Sequence, residues 1–398
     1  MSQPSALVIG AGVGGLTAAL ALHQRGLRVT VLERASSVEA VGAGLGLTPN
    51  SLRALDTLGL GDTLRAKRTW TREGGLRTPS GRWLSRTDPE AAAERFGGPL
   101  VPVHRATLIS LLLSRLPEGT VITGTPAGIA DPGDRDRPAL VRSGEQRWEA
   151  DVVVAADGIH SPARGVLFPG SPAPRYAGFT AWRMVVPALG TGHPPHETWG
   201  RGTLWGTQPL ADGRIYAYAA ATVPAGEQAP DGELAELRRL FGNWHEPVPA
   251  ILQAVTPGQI LRNDVYRAAA TLPAHHRGRV ALLGDAAHAM PPNLGQGGNQ
   301  AIEDGVVLAH HVAGHSGSRV TEALAGYTAD RLPRTTEVVR RSVRVSRLVT
   351  VTSLPGCVLR DTAMTVVNRL APHLALRALD GIADWSPPGH TDASRVTA

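Results

Sequence analysis

The chain has 398 residues, of which 42% are hydrophobic and 19% charged, a composition typical of a globular protein with a large core. Its single cysteine, Cys357, excludes a disulfide framework and a thiolate metal site and suits a reducing cytoplasm. The net charge of +6 comes almost wholly from arginines, which are scattered apart from a group between Arg331 and Arg347 that we expect on a solvated helix face, so we expect no nucleic-acid partner. We expect no metal site either. Neither a signal-peptide pattern nor an apolar run of about 18 residues is present, so we expect no membrane span.

The first motif is a strand, a glycine-rich turn, a helix and a second strand. Residues 6–9 predict a buried strand, the helix extends to about Arg25, and the second strand ends before Glu33. In a βαβ unit such glycines accommodate a pyrophosphate, and the acid binds a ribose hydroxyl. A turn that serves only helix packing would explain Gly15 but not the whole pattern. The predicted dinucleotide ligands are Gly10, Gly12, Gly14, Gly15, Glu33 and Arg34.

A second glycine-rich stretch follows the apolar strand at residues 279–283. Asp285 then lies at the carboxyl end of a strand, where open α/β sheets bind ligands. The helix that follows directs its free N–H groups and positive dipole end at an electron-rich ring. The predicted contacts of this stretch are Asp285, Pro292, Gly295, Gly297, Gly298 and Asn299.

Three further segments complete the pattern. Residues 151–158 predict a buried strand that runs into Asp157, for which a simple strand-end turn is the alternative. The loop at residues 42–46 is glycine-rich, and Thr48 with Pro49 predicts the start of a helix. Arg105 opens a leucine-rich helix, where the alternative is a surface arginine.

These motifs, in this order and spacing, resemble the single-component (group A) FAD-dependent aromatic monooxygenases of the p-hydroxybenzoate and salicylate hydroxylase family. The resemblance covers roughly residues 5 to 345. It implies an α/β fold, in which a Rossmann-like FAD-binding domain of the GR2 type joins a mostly antiparallel substrate sheet and C-terminal helices. The implied FAD-binding domain is discontinuous, comprising residues 1–70, 99–174 and 263–345. Residues 71–98 and 175–262 would form the substrate domain, and residues 346–398 a helical C-terminal segment.

The resemblance also implies a reaction. FAD, bound non-covalently, would be reduced by NADPH or NADH, and O₂ would add to form a flavin C4a-hydroperoxide. One oxygen atom would pass to an aromatic or polycyclic small molecule in secondary metabolism or aromatic catabolism. In the family, Asp285 binds the ribityl chain or ribose, Arg105 reaches the pyrophosphate, and Asp157 serves both FAD and NAD(P)H. Gly46 would pass beside the flavin ring and Pro292 would form a wall of the site.

Two other functions fit the residues at this point. One is a flavin-dependent dehydrogenase or reductase that does not use O₂ productively. The other is a flavin-binding sensor without catalysis, favoured only by the lack of an obvious general base. Of the histidines that could serve as that base, His160 lies away from the substrate side, His196 is expected at the surface, and His288 is expected to hold its loop.

The substrate is expected between the flavin and the middle sheet. Strand alternation lets only about half of the candidates face it, and it places Tyr216 and Tyr218 on one face. We take Tyr216, Arg183 and Pro292 as the catalytic candidates. The substrate candidates are Trp182, Leu204, Trp205, Tyr216, Tyr218 and Asn293.

Two departures from the urate-hydroxylating branch narrow the substrate class. That branch pairs an arginine with an aspartate, and the corresponding positions here are Leu204 and Asn293. A purine anion would lack its partners, which favours a neutral, apolar substrate, although Arg183 or Arg201 could hold a carboxylate. The amphipathic stretch from Val358 to Leu379 could cap the cavity or pair two subunits, so both monomer and homodimer remain open.

Overall fold

A computed structural model describes residues 3–38, 43–190 and 194–389. The strands of this part of the chain are β1 (Ser5–Ile9), β2 (Arg28–Leu32), β3 (Gly44–Leu47), β4 (Gly74–Arg77), β5 (Trp83–Thr87), β6 (Val101–His104), β7 (Val121–Ile122), β8 (Gly128–Asp131), β9 (Ala139–Ser143), β10 (Gln146–Ala150), β11 (Val152–Ala155), β12 (Arg175–Val186), β13 (His196–Trp199), β14 (Thr203–Pro209), β15 (Ile215–Ala221), β16 (Leu261–Arg267), β17 (His276–Arg277) and β18 (Val280–Leu282).

The α-helices occur mainly between strands of the first half and in a continuous series at the end. They are α1 (Val13–Gln24), α2 (Pro49–Asp56), α3 (Gly61–Arg65), α4 (Pro89–Phe96), α5 (Arg105–Leu113), α6 (Pro162–Leu167), α7 (Glu233–Phe241), α8 (Val248–Ala254), α9 (Asp285–His288), α10 (Gly297–Val312), α11 (Val320–Val349) and α12 (Leu354–Leu370). Short 3₁₀ segments include Pro292–Leu294 and Pro372–Leu379. No helix of the described residues is both long and apolar enough to cross a membrane.

The first sheet has β1 at its centre, as the sequence predicted. Its order is β17–β18–β11–β1–β2–β7, and all neighbours run parallel except β17 with β18. The central strands are buried and consist mostly of valine, alanine, leucine and isoleucine, as expected for parallel strands covered on both faces. Since β1, β11 and β18 are parallel, the loops that follow them share the carboxyl edge of the sheet. That edge therefore carries Gly10, Asp157 and Asp285 together.

Helices α1 and α10 pack against each other through glycine. A Cβ at Gly305 would lie 2.8 Å from the backbone nitrogen of Ala18. This close approach holds the amino end of α10, at Gly297, over the same edge of the sheet as the turn at Gly10. The mixed α/β class predicted for the cofactor domain is confirmed.

The second sheet has the order β16–β12–β15–β14–β13–β4–β5, and only β13 and β4 run parallel. Helices α7 and α8 cover one face, where Phe241, Leu237 and Ile251 are fully buried. Strand β16 continues to Arg267, so it crosses the domain boundary predicted at residue 263. The strand stays with the second sheet because its backbone pairs with β12 from Leu261 to Arg267.

Candidate active site

The turn after β1 has room for glycine only. Gly10 has a φ of +103°, and a Cβ there would lie 2.5 Å from the carbonyl oxygen of Ala156. A Cβ on Gly15 would lie 2.0 Å from the carbonyl oxygen of Gly10. The space in front of Gly12 is bounded by the Arg105 guanidinium, whose Nη2 is 3.7 Å from the Cβ position. Backbone N–H groups at a helix start, facing an arginine across a gap, fit a pyrophosphate.

Glu33, Arg34 and Gly14 were also predicted to contact the cofactor at this turn, and each has different surroundings. The Glu33 carboxylate accepts a hydrogen bond from the Ala11 N–H at 2.7 Å, which fastens the acid to the turn. Arg34 is exposed beside it. Gly14 instead serves packing, because a Cβ there would lie 2.5 Å from the Leu283 Cδ2.

Charged side chains from three elements converge on the cleft next to this turn. Burial raises the pKa of the Asp285 carboxyl, while the charges of His288, Arg105 and Arg183 lower it. Burial lowers the pKa of Arg105, and the Asp285 charge opposes this shift. Protein therefore surrounds both groups closely, yet Asp285 and Arg105 are both exposed. Two side chains that are surrounded by protein and still reach solvent indicate that Asp285 and Arg105 line an open cleft.

The loop before α10 forms the other wall. Pro292 and Gly295 are exposed, Gly295 adopts a φ of +63°, and α10 begins at Gly297. The Cβ position of Gly297 is 4.0 Å from the Asp285 Oδ1. This brings the predicted acid and the helix N-terminus together, where the helix dipole favours negative charge on a ligand.

Asn299 fastens this loop to β3. Its Nδ2 donates to the carbonyl oxygens of Gly46, at 2.9 Å, and Gly295, at 2.6 Å. Its Oδ1 accepts from the Thr48 N–H at 3.2 Å. The side chain is fully buried, so it positions the loop and leaves any ligand contact to the backbone. Gly298 contacts β3 as well, since its Cβ position is 2.9 Å from Leu45 Cδ1, whereas Gly42 lies outside the described residues.

A buried ionic network supports the loop from below. The Asp304 carboxylate accepts from the Gly284 N–H at 2.9 Å and from Arg331 Nε at 2.6 Å, and it contacts His288 Nε2 at 2.6 Å. Burial alone would raise the pKa of Asp304, but His288 and Arg331 outweigh it and hold the pKa well below its usual range. His288 is therefore structural, as expected. Arg331 also pairs with Glu303 at 2.5 Å, and the sequence reading missed this network.

One of the two carboxylate oxygens of Asp157 has a hydrogen-bond partner. Its Oδ2 accepts from the Ala163 N–H at 3.0 Å, at the start of α6, while its Oδ1 is buried without a hydrogen-bond partner in the described part of the chain. The Cα of Asp157 lies 3.6 Å from the Cβ position of Gly10. A free carboxylate oxygen beside the turn is available to a cofactor hydroxyl. The glycine turn, the charged cleft and this acceptor fit FAD.

Among the substrate candidates, the tryptophans face away from the cleft. Trp182 donates from Nε1 to Glu233 of α7 at 2.6 Å, and the Trp205 ring packs 5.3 Å from that of Phe241. Both are buried against α7 and α8. Their assignment to the substrate cavity was therefore wrong, because strand alternation turns them to the helix-covered face.

Tyr216 and Tyr218 occupy the opposite face, and their ring centroids are 5.4 Å apart. The Tyr216 ring lies against β3, since a Cβ on Gly44 would be 2.2 Å from its Cδ1. Burial raises the pKa of the Tyr216 phenol, and the nearby Arg183 opposes the rise. Tyr216 and Arg183 thus lie on the cofactor side of the sheet. Leu204 packs with Tyr218 in a second apolar cluster.

The sequence reading also missed polar groups on this face. Glu197 accepts from the Tyr218 hydroxyl at 2.6 Å and from the Trp199 Nε1 at 3.0 Å. Gln208 pairs with Tyr216 across the strands, and its Oε1 is buried without a partner in the described residues. The alternation of Glu197 and Trp199 on a short strand was the available signal.

Three further residues complete the comparison with the sequence-based predictions. The Asn293 Oδ1, next to Pro292, is buried and has no partner within the described ranges. His196 was expected at the surface, but it is 3% exposed and begins β13, with its ring 5.3 Å from that of His245. The proline-rich segment before it leads directly into a core strand, which explains the error. His160 is exposed and lies beside the Tyr266 ring.

Known proteins are similar to this chain in sequence and in architecture. Residues 3–342 match the FAD binding domain family. The chain is 37% identical over 372 residues to the 3-amino-4-hydroxybenzoate 2-monooxygenase of Streptomyces cremeus, covering 90% of each. It is 32% identical over 369 residues to the aurachin C monooxygenase/isomerase of Stigmatella aurantiaca, covering 91% of this chain and 94% of that protein.

A solved structure supports the same relationship. Klebsiella pneumoniae HpxO, complexed with FAD and uric acid, superposes with a TM-score of 0.86 at 28% identity, over 96% of both chains. The resemblance inferred from the motifs is thereby confirmed, and the chain belongs to the FAD-dependent aromatic monooxygenases that carry this FAD binding domain.

Proposed function

We propose that this enzyme inserts one oxygen atom of O₂ into an aromatic small molecule that carries hydroxyl or amino groups, with NADPH or NADH as the reductant. Bound FAD supplies the redox chemistry of nicotinamide oxidation and O₂ activation. The observation that carries the proposal is the convergence of Arg105, Asp285 and Arg183 beside the glycine turn, where Arg183 is also close to Tyr216. The relatives named above are monooxygenases, which disfavours the dehydrogenase and sensor alternatives.

The residues of the chain have separable roles in this proposal. Arg105 and the turn at Gly12 would hold the pyrophosphate, and Asp285 and Asp157 would accept hydrogen bonds from cofactor hydroxyls. The start of α10 at Gly297 would stabilise negative charge on the reduced ring. The sheet face with Tyr216 would orient the substrate and exclude water from the reacting oxygen.

Unpaired acceptors on the cofactor side refine the substrate class. The buried amide oxygens of Gln208 and Asn293 lack partners in the described residues, and buried acceptors normally have one. A substrate with O–H or N–H donors would satisfy them. Leu204 offers no charge to a purine anion, so we favour a hydroxylated or aminated ring over urate. This modifies the purely apolar substrate expected from the sequence.

The test is substrate-stimulated oxidation of NADPH by the purified flavoprotein. 3-Amino-4-hydroxybenzoate and 6-hydroxynicotinate should stimulate oxidation more than urate, and simple hydrocarbons such as naphthalene should not. Stimulation by urate alone would contradict the proposed substrate class. We also propose a cytoplasmic location, because a chain with one cysteine, Cys357, forms no internal disulfide and suits a reducing compartment.

A further inference from the structure

A row of paired residues crosses four strands of the second sheet, on the face turned away from α7 and α8. Arg183 of β12 pairs with Tyr218 of β15, which pairs in turn with Gly206 of β14. Gly206 pairs with Glu197 of β13. Residues that pair directly point to the same face of a sheet. Because the charge of Arg183 acts on Asp285, the row leads from the cofactor cleft to Glu197.

The glycine in this row lets the Tyr218 ring lie across the sheet. A Cβ on Gly206 would be 2.0 Å from the Tyr218 Cζ. The ring therefore covers β14, and its hydroxyl reaches β13, where it donates to the Glu197 Oε1 at 2.6 Å. Any larger residue at position 206 would displace the ring, so this contact depends on the glycine.

Glu197 is an enclosed carboxylate that lacks an ion pair in the described part of the chain. Hydrogen bonds from Tyr218 and from the Trp199 Nε1 are the interactions that oppose the effect of burial on its pKa. The buried Asp304, by contrast, is paired with Arg331. An enclosed charge without a cation destabilises a fold, and carboxylates of this kind concentrate at catalytic sites.

The charged and titratable groups around the pair lie beyond Tyr218 or beyond Trp199. On the Tyr218 side these are Arg183, on the neighbouring strand, and Tyr216, whose ring centroid is 5.4 Å from that of Tyr218. On the other side, Arg360 of α12 lies over the Trp199 ring and is paired with Asp361 of the same helix. Tyr218 is therefore the group through which Glu197 exchanges a proton with the substrate side.

Both members of the pair are surrounded by protein, yet part of each remains accessible to solvent. Burial raises the pKa of the Tyr218 phenol, and the negative charge of Glu197 raises it further. Tyr218 therefore keeps a proton, and it passes that proton to Glu197 only when it receives another. An accessible tyrosine backed by a carboxylate has the arrangement of a proton relay.

We propose that Tyr218 and Glu197 together are the general base that deprotonates a hydroxyl group of the substrate. The substrate O–H gives its proton to the Tyr218 oxygen, while the Tyr218 O–H gives its own proton to the Glu197 Oε1. The substrate becomes a phenolate and Glu197 a neutral acid, and only O–H bonds change. A phenolate donates electrons into its ring more strongly than a phenol, so it reacts faster with an electrophilic oxygen.

This inference rests on the proposed function, and it supplies the base that the sequence did not reveal. Glu197 acts through Tyr218, so its role differs from that of a group in contact with the substrate. The experiments below therefore include readouts that a purely structural role would leave unchanged.

The first test is the pH profile of product formation by the FAD-loaded enzyme, with 3-amino-4-hydroxybenzoate or 6-hydroxynicotinate, whichever stimulates NADPH oxidation more. In wild type, the rate should rise with pH as Glu197 ionises, because the base must accept a proton. Glu197→Gln should keep its flavin but lose about 100-fold in product formation at pH 7. Its rate should recover only at higher pH, where the substrate hydroxyl ionises without a base.

The matched control is Glu233→Gln. Glu233 also accepts a hydrogen bond from a tryptophan of this sheet, the Trp182 Nε1 at 2.6 Å, but on the face covered by α7. This variant should keep the wild-type profile. A Glu197→Gln variant that also keeps it would overturn the inference.

The second test asks whether the two residues transfer the same proton. Tyr218→Phe should show the same loss as Glu197→Gln, and the double variant should be no slower than either single variant. Losses that multiply in the double variant would show separate roles and overturn the relay.

The third test is independent of turnover. Ultraviolet difference spectra of the same substrate bound to the oxidised holoenzyme distinguish phenol from phenolate. Wild type should bind the phenolate at a lower pH than Glu197→Gln does. A wild type whose NADPH oxidation no hydroxylated ring stimulates would contradict the proposed function, whereas a stimulated wild type with the same spectra as Glu197→Gln would overturn this inference alone.

Discussion

The Tyr218 hydroxyl donates a hydrogen bond of 2.6 Å to the Oε1 of Glu197. This pair lies on the face of the second sheet that carries Tyr216, two residues from Tyr218 and in ring contact with it. Trp199 donates to the other carboxylate oxygen, so both oxygens of Glu197 have a partner. Because Glu197 is an ionisable group enclosed in this sheet, its protonation should couple the stability of the sheet to pH.

Ionisation of the Glu197 carboxyl should lower the stability of the fold as the pH rises. Burial raises the pKa of this carboxyl above its ordinary value, although Tyr218 and Trp199 oppose the shift. The folded state then holds its proton more tightly than the unfolded state, so stability falls as the pH rises from the ordinary glutamate pKa through the folded one. Thermal unfolding of wild type and Glu197→Gln between pH 4 and pH 8 checks this. The glutamine variant should gain relative stability toward pH 8, and parallel curves would contradict the account.

Asp304 should have the opposite pH dependence and a large effect on stability. Its pKa is held below the ordinary value, so its contribution is present above the unfolded pKa and is lost as the pH falls through the folded one. Asp304→Asn leaves Arg331 without one of its buried partners and should lower the free energy of unfolding by about 3–5 kcal/mol. Urea titration of wild type and Asp304→Asn measures this difference in the free energy of unfolding. Asp330→Asn, at the more exposed pair with His311, is the control and should cost less than about 1 kcal/mol.

Asp285 should be needed for the cofactor. A charge-assisted hydrogen bond contributes about 1.5–3 kcal/mol, so Asp285→Ala should weaken FAD binding by about 10- to 150-fold for each bond lost. Flavin fluorescence titration of the apoprotein measures the Kd. Asp212→Ala, which removes a surface pair with Arg214, should leave the Kd unchanged. Equal affinity in both variants would remove Asp285 from the site.

The elements around the cofactor could be predicted because their signals are local. The glycines at 10 and 15 are required by backbone contacts within a few ångströms, and a glycine pattern of this kind can be recognised directly in the sequence. The helix that begins at Arg105 could be predicted from its leucine pattern, whereas the phosphate role of Arg105 came from the family resemblance. The buried ionic network that supports the loop before α10 was not predicted. Asp304 and Arg331 are 27 residues apart, and only the packing of α11 on α10 brings them together.

The substrate face was harder to predict for a geometric reason. Alternation predicts which residues of a strand share a face, but the face that meets the cofactor depends on where α7 and α8 pack. Trp182 and Trp205 are the larger side chains and were assigned to the cavity, yet the helices cover them. His196 follows two prolines and was taken for a surface residue, although it begins a buried strand.

Tyr216 should affect oxygen transfer more than flavin reduction. Its ring lies against Gly44 of β3 and near Arg183, on the side proposed for the substrate. Tyr216→Phe should lower the yield of hydroxylated product per NADPH oxidised several-fold, with the excess appearing as hydrogen peroxide. Tyr266→Phe, on β16 of the same sheet, is the control. Unchanged coupling in Tyr216→Phe would leave this tyrosine with a packing role only.

Isotope labelling tests the central claim, monooxygenation, most directly. The purified holoenzyme is supplied with NADPH, a substrate that stimulates its oxidation, and ¹⁸O₂, and the product is analysed by mass spectrometry. The account predicts one ¹⁸O atom in the product and no product without oxygen. Product formed under anaerobic turnover, or oxygen derived from water, would contradict it and favour a flavin-dependent dehydrogenase.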